Sequence, residues 1–554
     1  MSVASDHEAR APGAPANSWV RLRAHLVKTY FTADLRSLAL GRIAMSLVLL
    51  VDLAKRCVAM NEWYTNEGLL PNHTLLWRPS FDHEFSLFFA ASYAPEVIVG
   101  FIICGACYTA LLLGLWTKRA QVASLFCLLN LHGRLLLVDN GGDVVLGLLC
   151  IWTTFLPTGR RFSVDAVLAR HRPRAPEPPL VAPIDVLGAA APGRSAPSLG
   201  MWAVTFQLAF IYFFNALHKH GGTWMNGTAV HYVLHLDRLV TWFGVWLRLH
   251  MTPGLSRVMT YAALATEWSL PFLLISPVAV RVCRRAAILG VIGLHAGFGA
   301  CMNLGVFVPA MMSYTPNFIP GEDWDAFEAW WARAPRRVEL STRLEAWATA
   351  KILRANDALS FGRWVRTAAP GPAVTAVLRR VPALREIVAF VFIVIASNQL
   401  LDENAAAHDF IDHHNSPAMS DAVHYLNLFQ GWSMFAPEAF TSDFSMIVDA
   451  VTVDGRHVDP FNEASNPRYP NPGVNIPPAM GNDWLFYQYV GRLQSWPAYQ
   501  SAFQDWILRY PERTGHAADQ IVSFKVSKVE DDSPPPGETE PRNARATLMF
   551  QYPR

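Results

Sequence analysis

The sequence predicts an α-helical polytopic membrane bundle of about nine transmembrane helices, followed by a C-terminal extracytoplasmic α+β domain. Three observations carry this reading. Hydrophobic residues make up 52% of the 554 residues and charged residues only 16%, with a mean hydropathy of +0.19, against roughly 25% charged in an average soluble domain. Apolar runs approaching the length of a bilayer core, about 20 residues per helix, recur throughout the first 401 residues. The small net charge of +2 hides a split: residues 1–401 carry 36 Lys and Arg against 24 Asp and Glu, whereas residues 402–554 carry 10 against 20. A basic membrane part and an acidic soluble domain in a second compartment follow.

In chain order, residues 1–34 form a polar cytoplasmic segment containing Arg10, Arg21, Arg23 and Lys28, with no apolar core of a cleavable signal peptide. Spans are expected near 37–59, 94–116, 119–138, 141–158, 200–217, 228–248, 257–279, 284–312 and 385–401. The sixth, which holds Asp237 and Arg238, is the weakest of the nine and fits a re-entrant segment as well. Basic residues set the orientation. They follow the second span (Lys118, Arg119) and the fourth (Arg160, Arg161, Arg170, Arg172, Arg174), and eleven more lie in 313–385 after the eighth. The N-terminus is therefore cytoplasmic, 35–320 is the main membrane domain, and 321–384 is a basic cytoplasmic loop. The last helix, 385–401, exports residues 402–554. Arg281, Arg284 and Arg285 run against this orientation, because it leaves them outside.

In the exported part, the alternating run 444–453, the turn Asp454-Gly455 and Val458 predict a hairpin. Residues 483–510 predict a helix with an aromatic face, interrupted at Pro497, and 520–529 and 544–552 predict two strands around a Pro-rich acidic loop. All seven cysteines precede this domain, and their spacing implies no disulfide framework or metal pair.

Ionisable residues at membrane depth are costly and are the first candidates for function. Arg42 and Asp52 in span one are ten residues apart, about 15 Å along a helix. Each therefore needs another partner, and both can equally be polar contacts that hold the bundle together. At the end of span five stands Tyr212-Phe213-Phe214-Asn215-Ala216-Leu217-His218-Lys219-His220-Gly221-Gly222-Thr223-Trp224. The chain uses Arg 39 times and Lys 7 times, and only a lysine can lower its pKa enough to serve as a base. Against this stands a snorkelling interfacial lysine. Glu267 in span seven, His295 in span eight and Asn303 two turns beyond it add polar groups to apolar helices. His231 and His235 at i, i+4, and the run His408, His413, His414, offer imidazoles for zinc or iron. The absence of HExxH and the frequency of His argue against a metal, and none is expected.

Several motifs, in order, resemble the vitamin K-dependent gamma-carboxylase family and its bacterial relatives with the horizontally transferred transmembrane (HTTM) domain. They are GRIAMSLVLLVDLAKR in span one, FLPTGRRFSVD (155–165), ALHKHGGTWMNG (216–227), His295 with Gly305, Phe307 and Pro316, and QGWSMFAP (430–437) with VDGRHVDPF beyond it. The resemblance covers residues 34–320 best. It implies that Lys219 is a catalytic base that deprotonates a hydroquinone and that His295 is an active-site histidine; His218, Trp224, Glu267, Asn303 and Arg42 are the further residues expected about the cofactor, with a structural role open for Glu267. By the same resemblance, the cofactor is reduced vitamin K, a menaquinol- or phylloquinol-like quinol. Oxygen and carbon dioxide are co-substrates, the quinol becomes an epoxide, and a peptide glutamate is carboxylated. The implied partners are the lipid bilayer and an exported peptide or protein, with no nucleic acid. The chain departs from the family pattern at Gly142 and Pro437, where the family carries histidines. A second expectation is therefore a non-carboxylating HTTM-domain protein that binds or oxidises a quinol or lipid, or acts on an exported partner. A transporter would show two related halves, and the sequence has no such repeat.

Overall fold

The computed structural model describes residues 18–76, 85–135, 141–171, 193–358, 372–408, 411, 416–462, 483–538 and 540–553. It is mostly helical, with a small antiparallel sheet near the C-terminus. Helices of eight residues or more are numbered in chain order.

Helix α1 (Ser18–Tyr30) leads into α2 (Leu35–Val58), whose first turn is capped by the Asp34 carboxylate accepting from Arg36 N. The side at which α2 starts is here the near face of the bundle. Helix α3 (Ala94–Leu113) ends there, because the Arg42 guanidinium donates to the carbonyls of Leu111 and Leu112. Helix α4 (Thr117–Arg134) starts beside it, with Asp165 accepting from the Thr117 backbone and hydroxyl. It ends at the far face, where Arg134 donates to Leu70 O. Helix α5 (Gly141–Thr154) returns, and the short α6 (Val164–His171) lies at the near face. Helix α7 (Leu199–His218) sets out from a bridge between Asp34 and Arg194 and climbs to the far face.

There the chain stays for α8 (Trp242–Leu249) before α9 (Pro253–Ile275) descends, ending where Tyr30 Oη donates to Ile275 O. Helix α10 (Val280–Cys301) rises again and α11 (Phe307–Tyr314) turns back, so that Ile319 O meets Ser37 Oγ at the start of α2. Helices α12 (Gly321–Ala332) and α13 (Pro335–Ala358) follow at the near face, and α14 (Pro372–Glu403) leads to the C-terminal domain.

Six of these helices are long and apolar enough to cross a membrane: α2, α3, α7, α9, α10 and the Val381–Glu403 part of α14. Two sequence expectations fail here. Residues 228–248 are not one helix but a single turn, Ala229–Val233, and the separate α8; between them the Asp237 carboxylate pairs with Arg248 and its backbone N–H donates to the Asp443 carboxylate of the C-terminal domain. The helix expected over 284–312 stops at Cys301. Met302 bridges to Val240, and Gly305 takes a φ of +60°, which breaks the chain before Phe307. As a result Arg281, Arg284 and Arg285 stand at the near face with the N-terminal helix: Arg284 donates to Thr29 O, and the other two pair with Asp323 of α12.

The C-terminal domain begins with α15 (Pro417–Leu426). Strands β1 (Ser442–Thr452), β2 (His457–Val458), β3 (Ile521–Asp532) and β4 (Arg542–Tyr552) form one antiparallel sheet in the order β2-β1-β3-β4. The hairpin turns at Gly455, whose φ of +80° suits glycine. The expected aromatic helix is α16 (Asp483–Ser495) and α17 (Pro497–Leu508), parted at Pro497, which starts the second helix. Phe503 packs edge-on against Phe461 and Phe550, so α17 covers the sheet.

Candidate active site

Tyr212, Asn215 and Lys219 are spaced i, i+3, i+7, so the 3.6-residue turn places them along one face of α7. Lys219 is the residue that closes the helix, its N–H bonding to Ala216 O. That face meets α9 at Glu267 and α10 at His295. Lys219 is 5% exposed, Glu267 2% and His295 1%.

The lysine Nζ lies 2.7 Å from Glu267 Oε1 and 2.6 Å from Oε2, and Asn215 Nδ2 donates to the same Oε1 at 3.2 Å. The Nζ also sits 4.5 Å from the centre of the Trp224 ring, a cation–π contact that covers its remaining side. The His295 ring is fixed by Tyr212, with Oη and Nε2 2.8 Å apart, and is packed edge-on by Phe298 and Phe307. Two buried polar atoms here make no hydrogen bond: His295 Nδ1 and Asn215 Oδ1. A buried polar group without a partner is costly, so both are places where a bound hydroxyl gains most.

The C-terminal domain reaches this end of the bundle through the segment 430–439. Gly221 N donates to Pro437 O at 3.0 Å, Gly222 N to Glu438 Oε1 at 2.8 Å, and Trp224 Nε1 to Phe435 O at 2.8 Å. A side chain at Gly221 would meet the Glu438 side chain at 2.1 Å, which explains a glycine there. His218 faces this segment rather than the lysine, with Nδ1 2.8 Å from Trp432 O and Nε2 accepting from Ala406 N. It anchors the domain.

Of the residues singled out in the sequence, Lys219, Glu267, Trp224 and His295 belong to one neighbourhood. Arg42 and Asn303 do not. The Arg42 guanidinium is spent at the near face on the carbonyls of Leu111, Leu112, Thr158 and Phe162, whereas Lys219 ends a helix of 20 residues, about 30 Å long, at the far face. Asn303 lies exposed in the turn beyond α10, its backbone N–H bonded to Leu239 O. Tyr212 and Asn215 were quoted in the sequence motif without a role; their signal was the shared helical face with Lys219.

A second buried polar group surrounds Arg56. It donates to Asp52 Oδ2 at 2.7 Å, to Asp143 Oδ1 at 2.9 Å and to Tyr64 Oη at 3.0 Å, with His132 Nε2 3.5 Å from Asp143. Asp52 thus finds its partner one turn along its own helix. Asp52, His132 and Asp143 have a metal-like spacing, but Arg56 already supplies the positive charge between the two carboxylates. The rings of His231 and His235 lie 4.4 Å apart, tilted at 45°, and each has a ring nitrogen 2.8 Å from a carbonyl, those of Pro534 and His231. The side chains of His408, His413 and His414 lie outside the described residues. Comparison with protein-family models, curated proteins and solved structures finds no match to this chain.

Proposed function

We propose that the protein is an integral-membrane enzyme that uses the Lys219–Glu267 pair to take a proton from a lipid-soluble hydroquinone, in the manner of the vitamin K-dependent carboxylases that its motifs resemble. The observation that carries this is a dry ion pair between the end of α7 and the middle of α9, beside a histidine of α10 that Tyr212 fixes and whose second nitrogen makes no hydrogen bond. The six apolar helices support a membrane location. In the finer reading the chain crosses nine times, with α4, α5 and the 307–318 segment completing the bundle. The near face, with Arg281, Arg284 and Arg285, is then cytoplasmic, and the acidic domain is exported.

The residues fit a quinol. Asn215 Oδ1 can accept from a hydroxyl, and His295 Nδ1 can accept from or donate to one, its tautomer set by Tyr212. With oxygen, a bound quinol supplies the reducing power and the strong base that the carboxylation needs. For Lys219 to act as a base, its ammonium proton first moves to the Glu267 carboxylate 2.6 Å away, leaving a neutral amine and a carboxylic acid; the amine then takes the quinol proton, and the ammonium so formed faces the quinolate, which leaves no charge alone in the bilayer. Trp224 and the 430–439 segment keep water from Nζ.

A second reading stops before carboxylation. Gly142 and Pro437 stand where the family has histidines, which favours a protein that binds or oxidises the quinol alone. Purified protein given reduced vitamin K, oxygen, labelled carbon dioxide and a glutamate peptide separates the two, with Lys219→Arg beside the wild type. Arginine keeps the charge pair but cannot give up its proton. Lys219-dependent epoxide with label in the peptide supports the first reading, and epoxide without label supports the second. Neither product, or full activity in the variant, removes both.

A further inference from the structure

Helix α13 contains no buried residue. Leu340, Leu344 and Trp347 on it are 56%, 55% and 63% exposed, and their i, i+4, i+7 spacing puts them in one strip. At about 100° per residue, Lys351 falls within this strip. Arg336, Arg343 and Arg354 line one side of it and Arg337 the other, whereas Glu339, Glu345 and Asp357 lie about 100° or more away. Such a strip, apolar at its centre and basic at its margins, is the pattern of a helix lying in a headgroup layer.

The placement agrees. Helix α12, which precedes it, is fastened to the start of α2: Trp324 Nε1 donates to Ser37 Oγ at 2.8 Å, and Arg36 pairs with Asp325 and Glu328. It is also fastened to the start of α10 through Asp323. Helix α13 itself is steadied on its acidic side, where Arg170 of α6 pairs with Glu345, and at its start, where Arg337 stacks 3.9 Å over Trp330. The apolar centre of the strip, Leu340, Leu344 and Trp347, is not used by these contacts. Arg343 pairs along its own surface with Glu339, an exposed pair of little strength.

We propose that α13 is a binding site for anionic phospholipid on the near-face leaflet. Leu340, Leu344 and Trp347 insert at the boundary between headgroups and acyl chains, and Arg336, Arg343, Lys351 and Arg354 meet the phosphates. The occupant is a bilayer surface rather than a protein because the helix is pinned at the level where apolar helices begin and because its margins are basic. The proposal rests on the membrane reading of the bundle and not on its chemistry.

The test places photoreactive benzoylphenylalanine at Leu344, at Thr342 on the opposite face, and at Leu289, which is 71% exposed on α10. The full chain is used in nanodiscs of phosphatidylcholine with and without phosphatidylglycerol. The expected result is lipid adducts at 289 in both discs. At 344, adducts should exceed those at 342 several-fold in the anionic discs. They should fall several-fold in pure phosphatidylcholine, at high salt, and when Arg336, Arg343, Lys351 and Arg354 are all changed to Gln. Adducts at 344 equal to those at 342, independent of phosphatidylglycerol, or formed with protein only would overturn the proposal. Loss of adducts at 289 would overturn the membrane reading on which it stands.

Discussion

Removing one partner of the Lys219–Glu267 pair gives the sharpest energetic test of the site. Glu267→Gln keeps the shape of the side chain and a carbonyl for Asn215 Nδ2, but it takes away the charge that faces Nζ at 2.7 and 2.6 Å. With the lysine 5% exposed and the glutamate 2%, water cannot replace that charge. Breaking a buried pair in this way costs about 3–5 kcal/mol, whereas replacing both members by apolar residues of similar size is close to neutral. A double-mutant cycle of Glu267→Gln, Lys219→Met and both together should therefore give a coupling of about 3 kcal/mol or more. It is read from unfolding of the purified protein followed by tryptophan fluorescence. A cost below about 1 kcal/mol for Glu267→Gln is what a solvated surface pair gives, and would refute the dry site.

Other expectations follow from the same contacts. Arg56→Met should destabilise the bundle by about 3–5 kcal/mol, because it strands the buried carboxylates of Asp52 and Asp143; Arg56→Lys should recover only part in the same unfolding assay, lacking the fork that reaches both. Burial lowers the His235 pKa from 6.5 to about 4 and shifts His231 the same way. A folded pKa below the unfolded one contributes stability that is present above pH 6.5 and lost as the pH falls toward 4. The melting temperature should fall across that window, and His235→Gln should flatten the fall. Reporter fusions ending at His250 should report the exported side and fusions ending at Ala334 the cytoplasmic side; the reverse at either position would contradict the proposed nine crossings.

The long spans were legible because twenty apolar residues have few other uses, and the hairpin because Asp454-Gly455 sits between alternating strands. The stretch 228–248 misled because its apolar residues, shared between a single turn and a short helix, have together the composition of a span. Its breaks were nevertheless visible in Asp237, Arg238 and Thr241, whose hydroxyl caps α8. The stop after Cys301 was signalled by Asn303 and Gly305. Lys219 stood out by the scarcity of lysine together with its place at the end of a span, yet its partner lies 48 residues away on another helix, a pairing that no local pattern encodes. Arg42 was misplaced for the opposite reason: its partners are backbone carbonyls at helix ends, which every sequence has and none advertises.

The proposed chemistry is proton transfer from a quinol to Lys219 within the apolar bundle. It is tested most directly by epoxide formation from reduced vitamin K in nanodiscs, comparing wild type with Lys219→Arg at equal folded protein. The expected result is oxygen-dependent epoxide from the wild type and a loss of at least about a hundredfold in the variant, the lower range for a positioned acid–base group. Equal turnover by the two proteins, or none by the wild type, would contradict it.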